Sequence, residues 1–544
     1  MTEKSDENGK TAVLVSNVKT HNFEDGDSKS LPPGAVVVGE IAHHHETPNF
    51  TAVSVLLSAE HDVLPGQFLL GWHGKRQADI FTVLQVNDCA EVNPNELPEL
   101  SVARSRLGLG KNYADEGVST RIYRLALCET IEELTVKTED WSIKTTRAPQ
   151  TLPRAGDPVI LMPPEIVCST IGGLPDEADG LAVGTTFGAE PIRVVLKPQV
   201  LQLGAFIAGN PGKGKSYYGG VLVEEARAWG VPTLVLDVNG EMVETAQSLG
   251  GLVIHLPDST KFGLTLNLLT PPELISITPG VHEGTGYADL IELAHEQLKS
   301  ESASTPIPFS ALLQRIERLG QDLKMTPVQI RAAVSRIGKL QNDPLIGRDF
   351  DFIANLKKHK LVVLDCRHLS LRQTQLIAAA AARVLQSYGR EMTRKANEKG
   401  DAEAAKWFAI FFVDEAHTVA PNDQSVVSTQ VIYELARMGR HVRTGLVMSS
   451  QSPTDLDPSV LKRLQTRFVF ALEKDQLRAI SGVNADLNSR ILDQLPKLPK
   501  GVCAVSGSSE IINHGFLLQV RERKTPVGGT TPKVFEGRKK NSSK

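Results

Sequence analysis

The rhythm of apolar and polar positions changes midway along this chain. Up to about Pro198 it runs in short alternating or β-branched stretches: Ala35–Val38, Ala52–Leu57, Gln67–Leu70, Asp79–Leu84, Pro158–Met162 and Ile192–Leu196, parted by Gly, Pro and Asn turns. Strand side chains point alternately to opposite faces, so residues 34–198 read as a small amino-terminal β-barrel or sandwich. A more charged stretch, Asn93 to Thr145, lies within it and reads as extended.

From Leu203 onward the apolar runs become continuous: Gly204–Ala208, Thr233–Leu236, Leu361–Leu364, Phe408–Val413 and Gly445–Met448, with helix-length segments between them. Strands buried on both faces belong to a parallel sheet covered by helices. The expectation is an α/β core over residues 199–523 with a mostly parallel sheet. A helical insertion, about 272–345, interrupts it. There Leu312, Leu313, Ile316 and Leu319 share a helical face, and Thr326-Pro-Val-Gln329 supplies an N-cap, a first-position proline and a capping glutamine. Residues 1–33 read as a disordered polar tail and 524–544 as a basic, flexible carboxy-terminal arm.

Composition narrows the class without choosing a substrate. A chain of 544 residues exceeds the usual reach of one core, so two or more domains are expected. No apolar run approaches the roughly 20 residues that span a bilayer, and no signal-peptide core opens the chain, so a cytoplasmic protein without membrane contact is expected. The five cysteines stand singly, which argues against a zinc module or a disulfide framework. A net charge of -4 requires any nucleic-acid contact to concentrate positive charge locally. His43-His-His45 has no companion ligands and reads as a surface loop.

Chemistry enters with Gly209-Asn210-Pro211-Gly212-Lys213-Gly214-Lys215-Ser216, which fits G-x-x-x-x-G-K-[ST]. The glycines allow a tight turn whose backbone N–H groups face a β-phosphate at the start of the helix running from Tyr217. Lys215 reaches the β/γ-phosphates of ATP, and the Ser216 hydroxyl ligates Mg²⁺. Phe408–Val413 then ends in Asp414-Glu415, about 200 residues on, where strand ends of such sheets hold ligands. Asp414 suits a water-mediated Mg²⁺ contact, and Glu415 suits the base that polarises the attacking water. Gln451 closes the next strand and suits a γ-phosphate sensor. Arg437 and Arg440, three residues apart, have no acidic partner within a turn downstream. They suit transition-state neutralisation, often from a neighbouring subunit, and equally a solvated basic face.

With these elements in hand, the chain resembles the HerA/FtsK superfamily, and within it the HerA-type DNA translocases. Asp237-Val-Asn-Gly-Glu241 is similar to that family's Asp-x-x-Gly-Glu, Val413–His417 with Pro421 to its Walker B segment, and Ala436–Arg440, Ser450–Pro453 and Leu456-Asp-Pro458 to its run from arginine finger to sensor. Val520–Arg523 and Gly528-Gly529 are similar near the end. Pro153–Val159 and Val183-Gly184 resemble its amino-terminal (HAS-type) barrel. The departures are Asn210-Pro211 and Lys213 in the phosphate loop, and Met242 in place of an aromatic residue.

The resemblance implies a RecA-like core and places Asp237 and Glu241 in the nucleotide site. It implies a homo-hexamer hydrolysing ATP between subunits, duplex DNA in a central pore, and a collar of barrels docking a nuclease, in end processing or defence against foreign DNA. A conjugation or secretion motor of the same superfamily, and a nucleotide-gated scaffold that activates a partner enzyme, stay open as alternatives.

Overall fold

The computed structural model describes residues 34–528, apart from 44–47, 59, 75–76, 93–122, 138, 189, 259, 303–304, 482–486 and 488. The tail 1–33, the arm from 529 and two of the three consecutive histidines lie outside the described residues.

The first sheet holds β1 (Val37–Ala42), β2 (Ala52–Leu57), β3 (Phe68–Trp72), β4 (Ile80–Val92), β5 (Tyr123–Val136), β6 (Ile143–Arg147) and β7 (Pro158–Leu161). Its order is β2-β1-β7-β3-β4-β5-β6, and β2 also pairs with β5, so six strands close on themselves. Alternation explains why β3 is buried along its whole length. Leu69 points into the closed interior with Val55, Leu84 and Ala126, while Phe68, Leu70 and Trp72 point out into a core shared with the second sheet.

β5 is the element hidden in the charged stretch. Its Glu132 and Glu133 are buried, and each is satisfied. Glu133 accepts from Arg147 Nε at 2.8 Å and from the backbone N–H groups of Gln150 and Thr151; Glu132 meets His514 at 3.1 Å. Paired carboxylates let a strand with three glutamates enter a core.

The second sheet comprises β8 (Leu181–Thr186), β9 (Arg193–Leu196), β10 (Ala205–Ala208), β11 (Thr233–Asp237), β12 (Leu252–His255), β13 (Leu361–Asp365), β14 (Ala409–Val413), β15 (Thr444–Ser450), β16 (Thr466–Val469), β17 (Val502–Gly507) and β18 (Phe516–Val520). The order is β12-β13-β11-β14-β15-β10-β16-β17-β18-β8-β9. Pairings from β12 through β16 are parallel, and those from β16 to β9 antiparallel, so the sheet is mixed. Two boundaries expected from sequence need correction. Residues 181–196 belong to this sheet rather than to the amino-terminal segment, because β8 pairs with β18. Residues 524–528 are not a loose arm: Thr525 is buried and donates through N and Oγ1 to Glu224.

Both faces of the parallel strands are covered, which is why they read as unbroken apolar runs. Leu234, Leu236, Phe411 and Val413 face one core, and Val235, Ile410 and Phe412 the other. The first core is roofed by the helix Leu371–Lys399 and by helices Pro271–Ile277, Gly286–Glu301, Phe309–Asp322 and Pro327–Gly338, which make up the insertion. The last of these starts at Thr326 with the expected reciprocal capping box. The second core lies under helix Lys215–Ala228.

Candidate nucleotide site

The parallel topology brings the carboxyl ends of β10, β11, β14 and β15 side by side, and each carries its chemistry there. β10 runs straight into the loop Gly209–Gly214 and the helix Lys215–Ala228. Two glycines in this loop are obligatory, since Gly212 has φ +76 and Gly214 φ +120. A Cβ on Gly209 would lie 2.7 Å from Phe470 Cβ. The helix has no side-chain cap at Gly214, so its first turn presents backbone N–H groups to the loop's concavity.

Lys215, although buried, lies 2.7 Å from Glu415 Oε1 and 3.4 Å from Asp414 Oδ1. Burial alone would lower its ammonium, but the two carboxylates outweigh it and hold it above the usual lysine range. Burial would likewise raise the Glu415 carboxyl, yet Lys215 and Gln451 bring it below the ordinary value. Asp414 Oδ1 also accepts from Ser449 Oγ at 2.6 Å. Gln451 Nε2 donates to Glu415 Oε1, as does Asn239 Nδ2 at 3.3 Å, and His417 Nδ1 lies 3.6 Å from Oε2. Glu415 itself adopts φ +46 and ψ +57, a left-handed conformation costly for a residue with a Cβ and maintained by this ring of partners.

Asp237, at the end of β11, accepts from the backbone N–H groups of Gly240, Glu241 and Met242 at 2.7, 3.0 and 2.8 Å. It thereby shapes the loop that carries Glu241, whose carboxylate lies beside the Ser216 hydroxyl. Burial, then the nearby Asp414, pushes the Asp237 carboxyl up to about 7 despite the three donors. A carboxyl raised above its unfolded value stabilises the fold fully at low pH and loses that contribution as pH climbs through about 7. The expected result is that wild-type protein loses more unfolding free energy than Asp237→Asn between about pH 5 and about pH 8 in urea titrations. Parallel pH profiles would contradict it.

Does this pocket suit Mg²⁺? Asp414 Oδ2 and Glu241 Oε2 are buried oxygens without a hydrogen-bond partner, and the Ser216 hydroxyl is beside Glu241. Hard oxygen donors left unsatisfied next to a phosphate cradle fit a hard divalent cation.

The residues singled out in the sequence therefore divide. Gly209–Tyr217, Asp237, Glu241, Asp414, Glu415 and Gln451 gather at one edge of the sheet. Arg437 and Arg440 do not: they flank a cleft that also contains Gly204, Thr444 and Gln465, at the amino-terminal ends of β10, β15 and β16. Sequence reasoning gave no role to Ser449, Asn239 or His417; the visible signal was polar residues closing otherwise apolar strands. It also passed over how the end of the chain fastens the cradle helix. Arg521 bridges Glu224 and Glu225 at 2.8 and 2.7 Å, and the backbone N–H of Arg523 donates to Tyr217 Oη at 2.6 Å.

An apolar strand entering a glycine cradle, a buried lysine, and two carboxylates at the end of β14, one strand away across β15, define an α/β P-loop ATPase. Residues 181–385 match the family described as helicase HerA, central domain. The chain is 24% identical over 400 residues to the DNA double-strand break repair helicase HerA of Sulfolobus acidocaldarius, covering 71% of this chain and 77% of that one. It is 22% identical over 377 residues to the protein of the same name from Pyrococcus furiosus, covering 61% and 68%. VirB4 of Thermoanaerobacter pseudethanolicus superposes with a TM-score of 0.47 at 15% identity, over 64% of this chain and 98% of that one. Among the described residues, no helix is long and apolar enough to cross a membrane.

Proposed function

We propose that this chain is an ATP-driven translocase or helicase of double-stranded DNA, assembled as a homo-hexameric ring and working in the cytoplasm with a nuclease that docks on the closed amino-terminal sheet, in end processing or defence. The names of the HerA relatives support the DNA substrate. One observation carries the ring: the phosphate cradle and carboxylates occupy the carboxyl edge of the sheet, and Arg437 and Arg440 the opposite edge. A four-residue strand spans about 13 Å, so neither arginine reaches the cradle of its own chain. A second copy stacked edge to edge completes the site.

In this reading the Gly209–Ser216 backbone and Lys215 hold the triphosphate, and Tyr217 follows on the cradle helix. Ser216, Asp414 and Glu241 hold Mg²⁺, which neutralises phosphate charge when bound. Glu415 accepts a proton from the attacking water, and Gln451 senses the γ-phosphate. The Lys215–Glu415 ion pair adds a safeguard. While it persists, the base is neutralised by the lysine that phosphates require. Drawing Lys215 to the phosphates removes that counter-charge and makes Glu415 the stronger base.

Duplex DNA is expected to raise the steady-state ATPase rate several-fold in assembled protein. A rate indifferent to DNA in intact rings, with tight binding of a partner enzyme, would favour a nucleotide-gated scaffold instead.

A further inference from the structure

The cleft beside Arg437 and Arg440 contains a third arginine that no motif marks. Arg463, just beyond the short helix Pro458–Leu461, lines the same cavity of about 200 Å³, with Gln202, His441, Thr444 and Gln465 as the other polar side chains. No carboxylate lines it. Among the described residues none of the three arginines forms an ion pair, whereas Arg521 in the same chain is held by two glutamates. All three are exposed, so packing does not explain their convergence. Three guanidinium groups around one cavity repel one another unless an anion is supplied from outside. Planar guanidinium forks suit phosphate oxygens.

We propose that Arg463 acts in trans with Arg437 and Arg440, contacting the terminal phosphate of ATP held by the neighbouring subunit; this rests on the ring reading above. A nucleotide phosphate is favoured over a DNA backbone because the three charges close on one compact cavity. It sits at the amino-terminal ends of strands of the nucleotide-binding sheet, and its lining carries no cationic Lys or Arg side chain besides these three. Arg463 is exposed and caps no helix, so its loss leaves the fold intact.

Arg463→Ala is expected to bind ATP normally and to lose turnover about 10- to 100-fold, a share of what a trans arginine supplies in phosphoryl transfer. Arg463→Lys should recover part of it. The decisive step mixes subunits before assembly. Glu415→Gln subunits have an inactive site but intact arginines; Arg463→Ala subunits have the reverse. In a random equal mixture about a quarter of interfaces pair an intact site with an intact Arg463, so turnover should return well above that of either variant alone. The Arg437→Ala/Arg440→Ala double variant mixed with Glu415→Gln serves as the reference.

If the reference mixture recovers and the Arg463→Ala mixture does not, Arg463 acts within its own subunit and the proposal is overturned while the ring stands. If neither recovers, the ring reading fails and takes the proposal with it. If Arg463→Ala hydrolyses ATP normally without DNA but binds a duplex oligonucleotide more weakly, the cleft serves DNA phosphates and the proposal is again overturned.

Discussion

Replacing Glu415 by glutamine is expected to leave ATP binding intact and to cut turnover by about 10³-fold, the usual worth of a positioned general base. The amide keeps the size and shape of the side chain, so Gln451 and Asn239 retain an acceptor on it. The lost feature is the negative charge that accepts the water's proton. Because that charge also sits 2.7 Å from Lys215, its removal leaves the lysine freer to meet phosphates, and affinity for ATP should hold or rise. Equilibrium binding of a fluorescent nucleotide and a phosphate-release assay check the two halves separately. Ordinary hydrolysis by the variant would show that another group carries the base function.

Lys215→Ala should have the second-largest effect, and on two quantities at once. Affinity for ATP should fall by about 100-fold or more, since the point charge facing the β/γ-phosphates is gone. Stability without nucleotide should also fall, by about 3 kcal/mol, because Asp414 and Glu415 are both buried and would lose their shared counter-ion. Nucleotide titration and urea unfolding measure the two effects. A variant as stable as wild type would mean that the carboxylates relax into water and that the resting ion pair contributes little.

The cradle, the two carboxylates and Gln451 were legible in the sequence because each is local: a glycine pattern, or polar residues ending an apolar run. The central parallel strands were legible for the same reason, since burial on both faces removes alternation. β5 escaped because its buried glutamates look solvated until Arg147, on the next strand, and His514, distant in sequence, are brought to them. β8 and β9 read as amino-terminal because their short β-branched runs match that texture. Only the pairing of β8 with β18, more than 300 residues away, assigns them to the large sheet. Arg463 was invisible for a related reason: its neighbours in the cleft, Arg437 at the end of the helix Thr429–Met438 and Arg440 just past it, belong to a different element. Periodicity reports faces of single elements, and sites assembled from several elements require the topology.

The relation between the two edges of the large sheet is tested most directly by particle imaging of the full chain with a non-hydrolysable ATP analogue, Mg²⁺ and duplex DNA. The expected map is a closed ring with nucleotide at each subunit boundary, touching Gly209–Ser216, Asp414 and Glu415 on one side and the Arg437–Arg440 edge on the other. Single subunits, or rings whose arginine edge faces open solvent while nucleotide occupies the cradle, would contradict the account.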